Sequence, residues 1–435
     1  MSLGGGSFTA ENKALPGAYI NFVSAASASA SLSDRGIATM PLELDWGREE
    51  EVFEVSSEDF QKNSLKLFGY AFDSPKLKGL RDLFMGARTL YAYRLNGGGK
   101  QAANELATAL YSGIRGNDLK VAVQANADDA TRFDVSTYLG TARVDLQTVA
   151  GAAELVANDY VTFKADTELT VMAASPLTGG TNGTVDGNAH QAYLDKIEPY
   201  TYNAMGAVVT DDTTKKLYAA FNKRMRDEMG IKFQVVLYRA AVDSMGVISV
   251  KNKTLDEGAS EASLVYWVTG AQAGCEVNKS CQNKLYDGSF AVEANYKQSE
   301  LEQSVKSGEF VLHRVNADIR VLEDINTMVT VSDTQGDIFK DNQTVRVIDQ
   351  IGNDIAVLFC TKYMGAVPND AAGRISLWSD IVAHHRELER IRAIEDFSDS
   401  EVTVEPGNTK KAVVVRDVVT VVNAMGKLYM TVTVS

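Results

Sequence analysis

The alternation of hydrophobic and polar positions predicts a chain that mixes helices and strands. Leu217, Phe221, Met225 and Met229 repeat every four residues, which predicts an amphipathic helix over 213–229. The apolar run FQVVLY that follows is typical of a strand buried on both faces. The same reasoning predicts a buried element at 262–269, antiparallel strands at 289–295 and 310–322, and long helices at 345–363 and 373–391.

The pattern of residues along the sequence changes between Gly97 and Gly187. Short runs of strand-forming residues (VAVQ, DVSTYL, YVTFK and LTVMAA) are separated by turn residues, and the stretch closes on the loop TGGTNGTVDGN. Short strands at this spacing are typical of a β-sandwich. We therefore predict an inserted all-β module within an otherwise α/β chain.

Both ends of the chain carry strand-forming runs that are poorly supplied with partners. AYINFV at 18–23 precedes an Ala/Ser-rich connector at 24–33, and AVVVRDVVTVV at 412–422 precedes LYMTVTV at 428–434. The last two runs predict a terminal hairpin. Because an exposed apolar strand favours aggregation, the hairpin should either be buried in its own domain or complete a sheet in a neighbouring molecule. The pattern leaves both possibilities open.

Composition limits the classes of function. With 435 residues, 45% of them hydrophobic, the chain should form two or three domains. A net charge of −14 opposes binding to nucleic acid or anionic membranes, and there is no apolar run long enough for membrane insertion. The N-terminus lacks the pattern of a secretory signal. Cys275, Cys281 and Cys360 are too few for a disulfide framework, which suggests free thiols in a reducing cytoplasm.

Candidate catalytic and metal-binding motifs are weak, so we predict neither an enzyme nor a bound metal or cofactor. His384 and His385 lie beside two glutamates on a predicted helix, but no other histidine is near in sequence, and a structural role is the simpler interpretation than a metal site. GGGK at 97–100 lacks the first glycine and the Ser or Thr of a phosphate-binding loop. Arg386 and Arg390 form a charged side of the same helix, which is either solvated or docks on an acidic partner.

Five segments together resemble the contractile-tail sheath proteins of phages and tail-like bacteriocins of Gram-positive bacteria. They are PGAYINF, FVLHRVNADIRVLEDINTMVTV, VRVIDQIGNDI, AGRISLWSDIVAHHRELERI and the closing VVTVVNAMGKLYMTVTV. Their order and spacing extend over almost the whole chain. The resemblance also implies that 102–111, which its own pattern would make helical, is the first strand of the inserted module.

The resemblance implies a structural subunit that polymerises into stacked rings around an inner tail tube. Contraction of such a sheath drives the tube through a target cell envelope. The implied partners are other copies of the chain, the inner tail tube protein, and baseplate and tail terminator proteins. The implied location is a virion tail, or a secreted tail-like particle, assembled in the bacterial cytoplasm. The alternative is the sheath of a capsid-less bacteriocin or another contractile injection system.

Pattern and resemblance together predict an α/β (α+β) sheath core with an inserted all-β sandwich module and extended N- and C-terminal strand arms. The predicted divisions are an N-terminal arm (1–24), core (25–95), module (96–186), second core part (187–411) and C-terminal arm (412–435). The resemblance places the C-terminal part of the core against the tube, so Arg386 and Arg390 are the candidate tube contacts. The candidate strand-arm residues are Tyr19, Ile20, Phe22, Val413, Val415, Val419, Val421, Leu428, Met430 and Val432.

Overall fold

The computed structural model describes residues 32–434. The predicted N-terminal arm residues Tyr19, Ile20 and Phe22 therefore lie outside the described part of the chain. The first core segment contains β1 (Ile37–Leu42), β2 (Val52–Ser56), α1 (Ser57–Phe68), α2 (Lys78–Phe84) and β3 (Thr89–Arg94).

An all-β module follows this segment. Its strands are β4 (Gln101–Ala103), β5 (Ala107–Ser112), β6 (Leu119–Ala125), β7 (Phe133–Leu139), β8 (Ala142–Val149), β9 (Val161–Phe163) and β10 (Met172–Pro176). Three of them form the sheet β4-β5-β9 and four form the sheet β10-β6-β7-β8, which enclose one apolar cluster. Trp46 of the core enters that cluster, with its ring 5.2 Å from Tyr111 and 6.3 Å from Tyr160. The module is thus packed on the core.

The chain then returns to the core. The returning elements are α3 (Gly187–Ile197), β11 (Ala204–Ala207), α4 (Asp212–Arg224), β12 (Gln234–Tyr238), β13 (Val247–Val250), α5 (Leu264–Gly274), α6 (Gln298–Lys306), β14 (Glu309–Phe310), β15 (Leu312–Val315) and β16 (Asp318–Val321). Seven core strands form one sheet in the order β14-β13-β12-β11-β1-β3-β2. All neighbours in it are parallel except the edge pair β2–β3.

Helices cover both faces of this sheet, which explains why its strands are apolar throughout. Val236 of β12 faces a cluster that includes Phe60 of α1 and Trp267 of α5. Val235, the preceding residue, faces the opposite cluster, to which α4 contributes Phe221. Adjacent residues of one strand thus serve two separate cores, as the pleat requires.

The last part of the chain packs two helices against short strands. These are α7 (Asn342–Leu358), α8 (Ala371–Arg390), β17 (Ile394–Glu395), β18 (Thr403–Pro406), β19 (Val413–Arg416) and β20 (Thr420–Val421). A π-helical turn, Phe359–Tyr363, extends α7. Leu377, Ile381 and Leu388 of α8 lie in their own apolar cluster, together with Val277 from the core.

Most of the predicted elements are present, and two predictions are wrong. Helices occupy 212–229, 342–363 and 371–390, with a π-helical turn at the end of the first two, and the 102–111 stretch is extended rather than helical. The segment 289–295 forms only a single bridge, between Val292 and Thr254. The predicted terminal hairpin does not form, because β19 pairs with β18 and β20 pairs with β17.

Candidate subunit interface

Buried ion pairs join the core to the C-terminal helices. Arg226, in the π-helical turn that follows α4, donates two hydrogen bonds to Asp349 of α7, at 2.6 and 2.7 Å. Arg346 of the same helix lies 3.2 Å from Asp324, and both side chains are fully buried. Removing one partner of such a pair would leave an uncompensated charge in the interior. The orientation of α7 on the core is therefore fixed by charge as well as by packing.

Two adjacent histidines of α8 connect α7 to the C-terminal segment. His384 Nε2 lies 3.0 Å from Asp354 of α7, and His385 Nε2 lies 2.6 Å from Asp417. The two Nδ1 atoms are 3.3 Å apart. Burial alone would raise the pKa of Asp354, but hydrogen bonds from His384, Ser33 and Gln350 hold it below its usual value. The pair has a positioning role, and no group of three or more potential metal ligands occurs anywhere in 32–434.

The segment 413–424, called here the anchored segment, packs with α7, α8 and the short strands β17 and β18 as part of the C-terminal domain. Val413 to Arg416 pair with Thr403 to Pro406, and Val421 pairs with Ile394. Gln343 of α7 donates to the Val422 carbonyl at 3.0 Å and accepts from the Ala424 amide at 2.9 Å. Of the predicted arm residues in this stretch, Val413, Val419 and Val421 pack against the C-terminal cluster, whereas Val415 is exposed.

The segment 425–434, called here the tail, differs from the anchored segment in its pairing and in its exposure. It contains no strand, and within the described residues it pairs with none. Its apolar side chains are exposed: Leu428 by 85%, Met430 by 74% and Val432 by 68%. Such exposure of an alternating apolar run is unusual for a folded monomer and marks a site of interaction. All three of these residues are predicted arm residues.

A groove lies beside β19, between the end of α7 and the start of α8. The residues lining it include Phe359, Tyr363, Met364, Val367, Leu377 and Val413. Met364 is 60% exposed, so part of the groove's apolar lining is open to solvent, and Arg374, Lys410 and Lys411 line it as well. An apolar groove and an apolar tail are thus present in the same chain.

The predicted tube contacts are already paired within the chain. Arg386 binds Asp399 at 2.7 Å and Glu389 at 2.8 Å, and Arg390 binds Glu387 at 2.5 Å. All five side chains are at least partly exposed. The surface is consequently an ion-pair network rather than a purely basic patch, with three carboxylates around two guanidinium groups.

Sequence reasoning missed the anchoring role of the histidines. The available signal was the pair Arg416–Asp417, which interrupts an otherwise apolar run. A charged residue in such a run needs a partner, and His385 supplies it for Asp417. That partner is 32 residues earlier in the chain, so local pattern could not identify it.

Models of sheath domains match four consecutive parts of the chain. They are described as the tail sheath protein Gp18 domain III N-terminal region (35–95), and the phage tail sheath β-sandwich (96–182), central (183–327) and C-terminal (334–435) domains. The chain belongs to the phage tail sheath family. This family membership identifies it as a structural subunit of a contractile tail.

Individual sheath proteins agree with this family. The phage-like element PBSX protein XkdK of Bacillus subtilis is 31% identical over the full length of both chains. The crystal structure of a sheath tail protein from Desulfitobacterium hafniense is 36% identical, with a TM-score of 0.80 over 89% of this chain and 93% of that one. The helical sheath of the anti-feeding prophage in its contracted state shares the fold at 14% identity, with a TM-score of 0.53, over 96% of this chain and 98% of that one.

No helix within 32–434 is both long enough and apolar enough to cross a membrane.

Proposed function

We propose that this sheath subunit is joined to its neighbours by its own tail, which adds a strand to another copy of the chain. The observation that carries the proposal is the exposure of Leu428, Met430 and Val432 at alternate positions. Because side chains alternate across a strand, these three would share one face once the tail is extended. Backbone pairing would supply affinity, and the three side chains would fix the register.

The anchored segment explains how such a link would survive movement. Asp417 is bound to His385, and Ala424 to Gln343, immediately before the tail begins. A pull on the tail would therefore be transmitted to α7 and α8 rather than unwinding the domain from its end. Subunits tied in this way can rotate relative to one another without losing their connection.

The groove beside β19 is the proposed acceptor in the neighbouring copy. Val413, at the start of β19, lines the groove, so an added strand there would lie next to existing strand backbone. Met364 and Val367 would cover the apolar face of the incoming tail. We also propose that the N-terminal arm with Tyr19, Ile20 and Phe22, and the anchored-segment residues Val413, Val415, Val419 and Val421, contribute to the same sheet.

The role proposed for the assembled chain is mechanical. Stacked rings would surround the inner tail tube, with the baseplate and tail terminator proteins at the two ends, in a virion tail or a capsid-less tail-like particle assembled in the host cytoplasm. Contraction would release energy stored at assembly. The role requires no catalytic residue, cofactor, nucleic acid or membrane insertion.

Arg386 and Arg390 remain the proposed contacts with the tube. Their carboxylate partners on the same surface would have to exchange for acidic groups of the tube, which favours a contact that can break during contraction. Replacing both arginines by glutamate should abolish co-assembly of sheath and tube while leaving the folded chain intact. Unchanged co-assembly of the double variant would refute this assignment.

The strand-donation proposal is tested by shortening the chain after Ala424. This variant removes the tail but keeps the anchored segment, which contributes to the folded domain. Electron microscopy should show tubes or rings for the full chain and only monomers for the shortened one. The thermal unfolding midpoints should be equal, since the tail contributes little to the monomer's core. Tubes formed by the shortened chain would refute the proposal.

A further inference from the structure

The loop 275–281 lies in the core part of the chain and contacts the C-terminal helices α7 and α8. It follows α5 directly, and its Val277 side chain packs in the C-terminal apolar cluster. Asn278 donates to the Ile391 carbonyl at 2.7 Å, and Arg346 of α7 donates to the Lys279 carbonyl at 2.7 Å. A change in the conformation of this loop would therefore alter its contacts with both α7 and the end of α8.

A cysteine stands at each end of the loop, and the two thiols meet beside the end of α5. The Cys275 amide donates to the Ala271 carbonyl at 3.0 Å, and the Cys281 sulfur lies 3.7 Å from that same oxygen. The Cys275 thiol donates to the Lys279 carbonyl of the same loop at 3.5 Å. Cys275 is partly exposed, whereas Cys281 is buried. A small reagent can reach the first sulfur, and the second lies at the same end of α5, against the carbonyl that the Cys275 amide also contacts.

The charges around the thiols favour a thiolate at Cys275. Arg35 donates to the Cys275 carbonyl at 2.7 Å, and among the described residues it forms no ion pair. The hydrogen bond from Cys281, opposed by burial and aided by Arg346 and Arg35, lowers the pKa of Cys275 to about 7. That same hydrogen bond, together with burial, raises the pKa of Cys281.

We propose that Cys275 and Cys281 form a redox-active pair that closes reversibly into a disulfide. An accessible thiolate next to a resolving cysteine is the arrangement that reacts selectively with oxidants. Cys360 is exposed but is not part of such a cluster, so it serves as the internal comparison.

The proposed oxidant is a small disulfide such as oxidised glutathione. The Cys275 thiolate attacks one sulfur of it, forming a mixed disulfide and releasing one glutathione thiolate, which takes the Cys281 proton. The Cys281 thiolate then attacks the Cys275 sulfur and releases the second glutathione thiolate. Two protein thiols are oxidised and one small disulfide is reduced to two thiols.

Closure would link the two ends of the loop that contacts α7 through Arg346 and the end of α8 through Asn278. Its consequence is a stiffer joint between the core and the C-terminal helices. The full chain would therefore respond to the change from a reducing cytoplasm to an oxidising exterior. The inference does not depend on tail donation.

The test treats the reduced full-length chain with oxidised glutathione at neutral pH and maps its peptides by mass spectrometry. We expect an intramolecular Cys275–Cys281 disulfide in the wild type and equally in the Cys360→Ser variant. In Cys281→Ala, which cannot resolve, Cys275 should retain a glutathione adduct. The pH of half-maximal alkylation of Cys275 should also rise in that variant, since its hydrogen-bond donor is lost.

Two results would overturn the proposal. One is a stable glutathione adduct at Cys275 of the wild type, which would show that Cys281 cannot reach it. The other is glutathione modification of Cys360 at a higher rate than Cys275. Both measurements are made on the unmutated chain, so they remain decisive even if a variant folds poorly.

Discussion

The anchored segment and the tail are neighbours in sequence and have the same strand-forming character. In the structure, however, the anchored segment pairs with other strands and the tail is exposed. VVVR at 413–416 finds an edge at β18, whereas LYMTVTV at 428–434 finds none within the described chain. Strand propensity is therefore not what separates them. The difference lies in polar anchors: Asp417 has His385, and Val422 has Gln343, whereas within residues 32–434 no such bond holds Leu428 to Val434. The comparison indicates that one stretch maintains the fold and the other is available for assembly.

The largest effects on assembly and on stability should come from introducing one aspartate into the tail or into the anchored segment. Val432→Asp should abolish tube formation while leaving the thermal midpoint unchanged, because its side chain is exposed in the monomer. Val421→Asp should instead destabilise the monomer by about 2 kcal/mol, since it puts a charge beside the C-terminal apolar cluster. Electron microscopy and thermal unfolding of both variants measure this contrast. Equal losses of stability would remove the distinction between the two segments.

A smaller loss of stability should follow from removing Asp417, the side chain that binds the anchored segment to His385. Asp417→Ala leaves buried His385 without its carboxylate partner and should cost about 1.5 kcal/mol of the free energy of unfolding. Asp399→Ala is the matched control, because it removes the exposed partner of Arg386 and should cost at most about 1 kcal/mol. Chemical denaturation compares the two. A control as damaging as Asp417→Ala would contradict the anchoring role.

The smallest effect concerns acid stability at the other end of the histidine pair. The pKa of Asp354 is lower in the folded chain than its ordinary value of 3.8, so the carboxylate contributes stability above that value. This contribution is lost as the pH falls through the folded pKa. Asp354→Asn should therefore be less stable than wild type at pH 7, and the difference should shrink below about pH 4. A pH-independent difference in denaturation midpoint would refute the linkage.

Sequence reasoning predicted those parts of the fold whose signal is local. The four-residue repeat at Leu217 and Phe221 and the apolar run at 234–238 each specify burial by nearby residues, and both elements form. The resemblance to sheath proteins, rather than propensity, correctly replaced a helix at 102–111 by extended structure, but the stretch forms parts of two strands, β4 and β5, and not one first strand. The hairpin failed because the edges that capture 413–421 belong to β17 and β18, whose short runs at 394–395 and 403–406 give little signal of their own.

The candidate site was only partly predictable for a similar reason. Leu428, Met430 and Val432 are exposed, but the partner proposed for them belongs to another molecule, so a single chain does not test their choice as arm residues. Arg386 and Arg390 are exposed as a helical pattern predicts, yet their pairing with Asp399 and Glu387 depends on side-chain positions. Pattern identifies which residues need partners, and only the folded chain shows which of them have found one.

Hydrogen exchange of the tail amides tests strand donation most directly. In the monomer, amides 427–434 should exchange rapidly, as expected for exposed backbone, while the amides of β19 are protected. In assembled tubes, the tail should become protected at alternate amides, because a strand added at an edge bonds every second residue to its neighbour. Rapid exchange of the tail in both states would contradict the account.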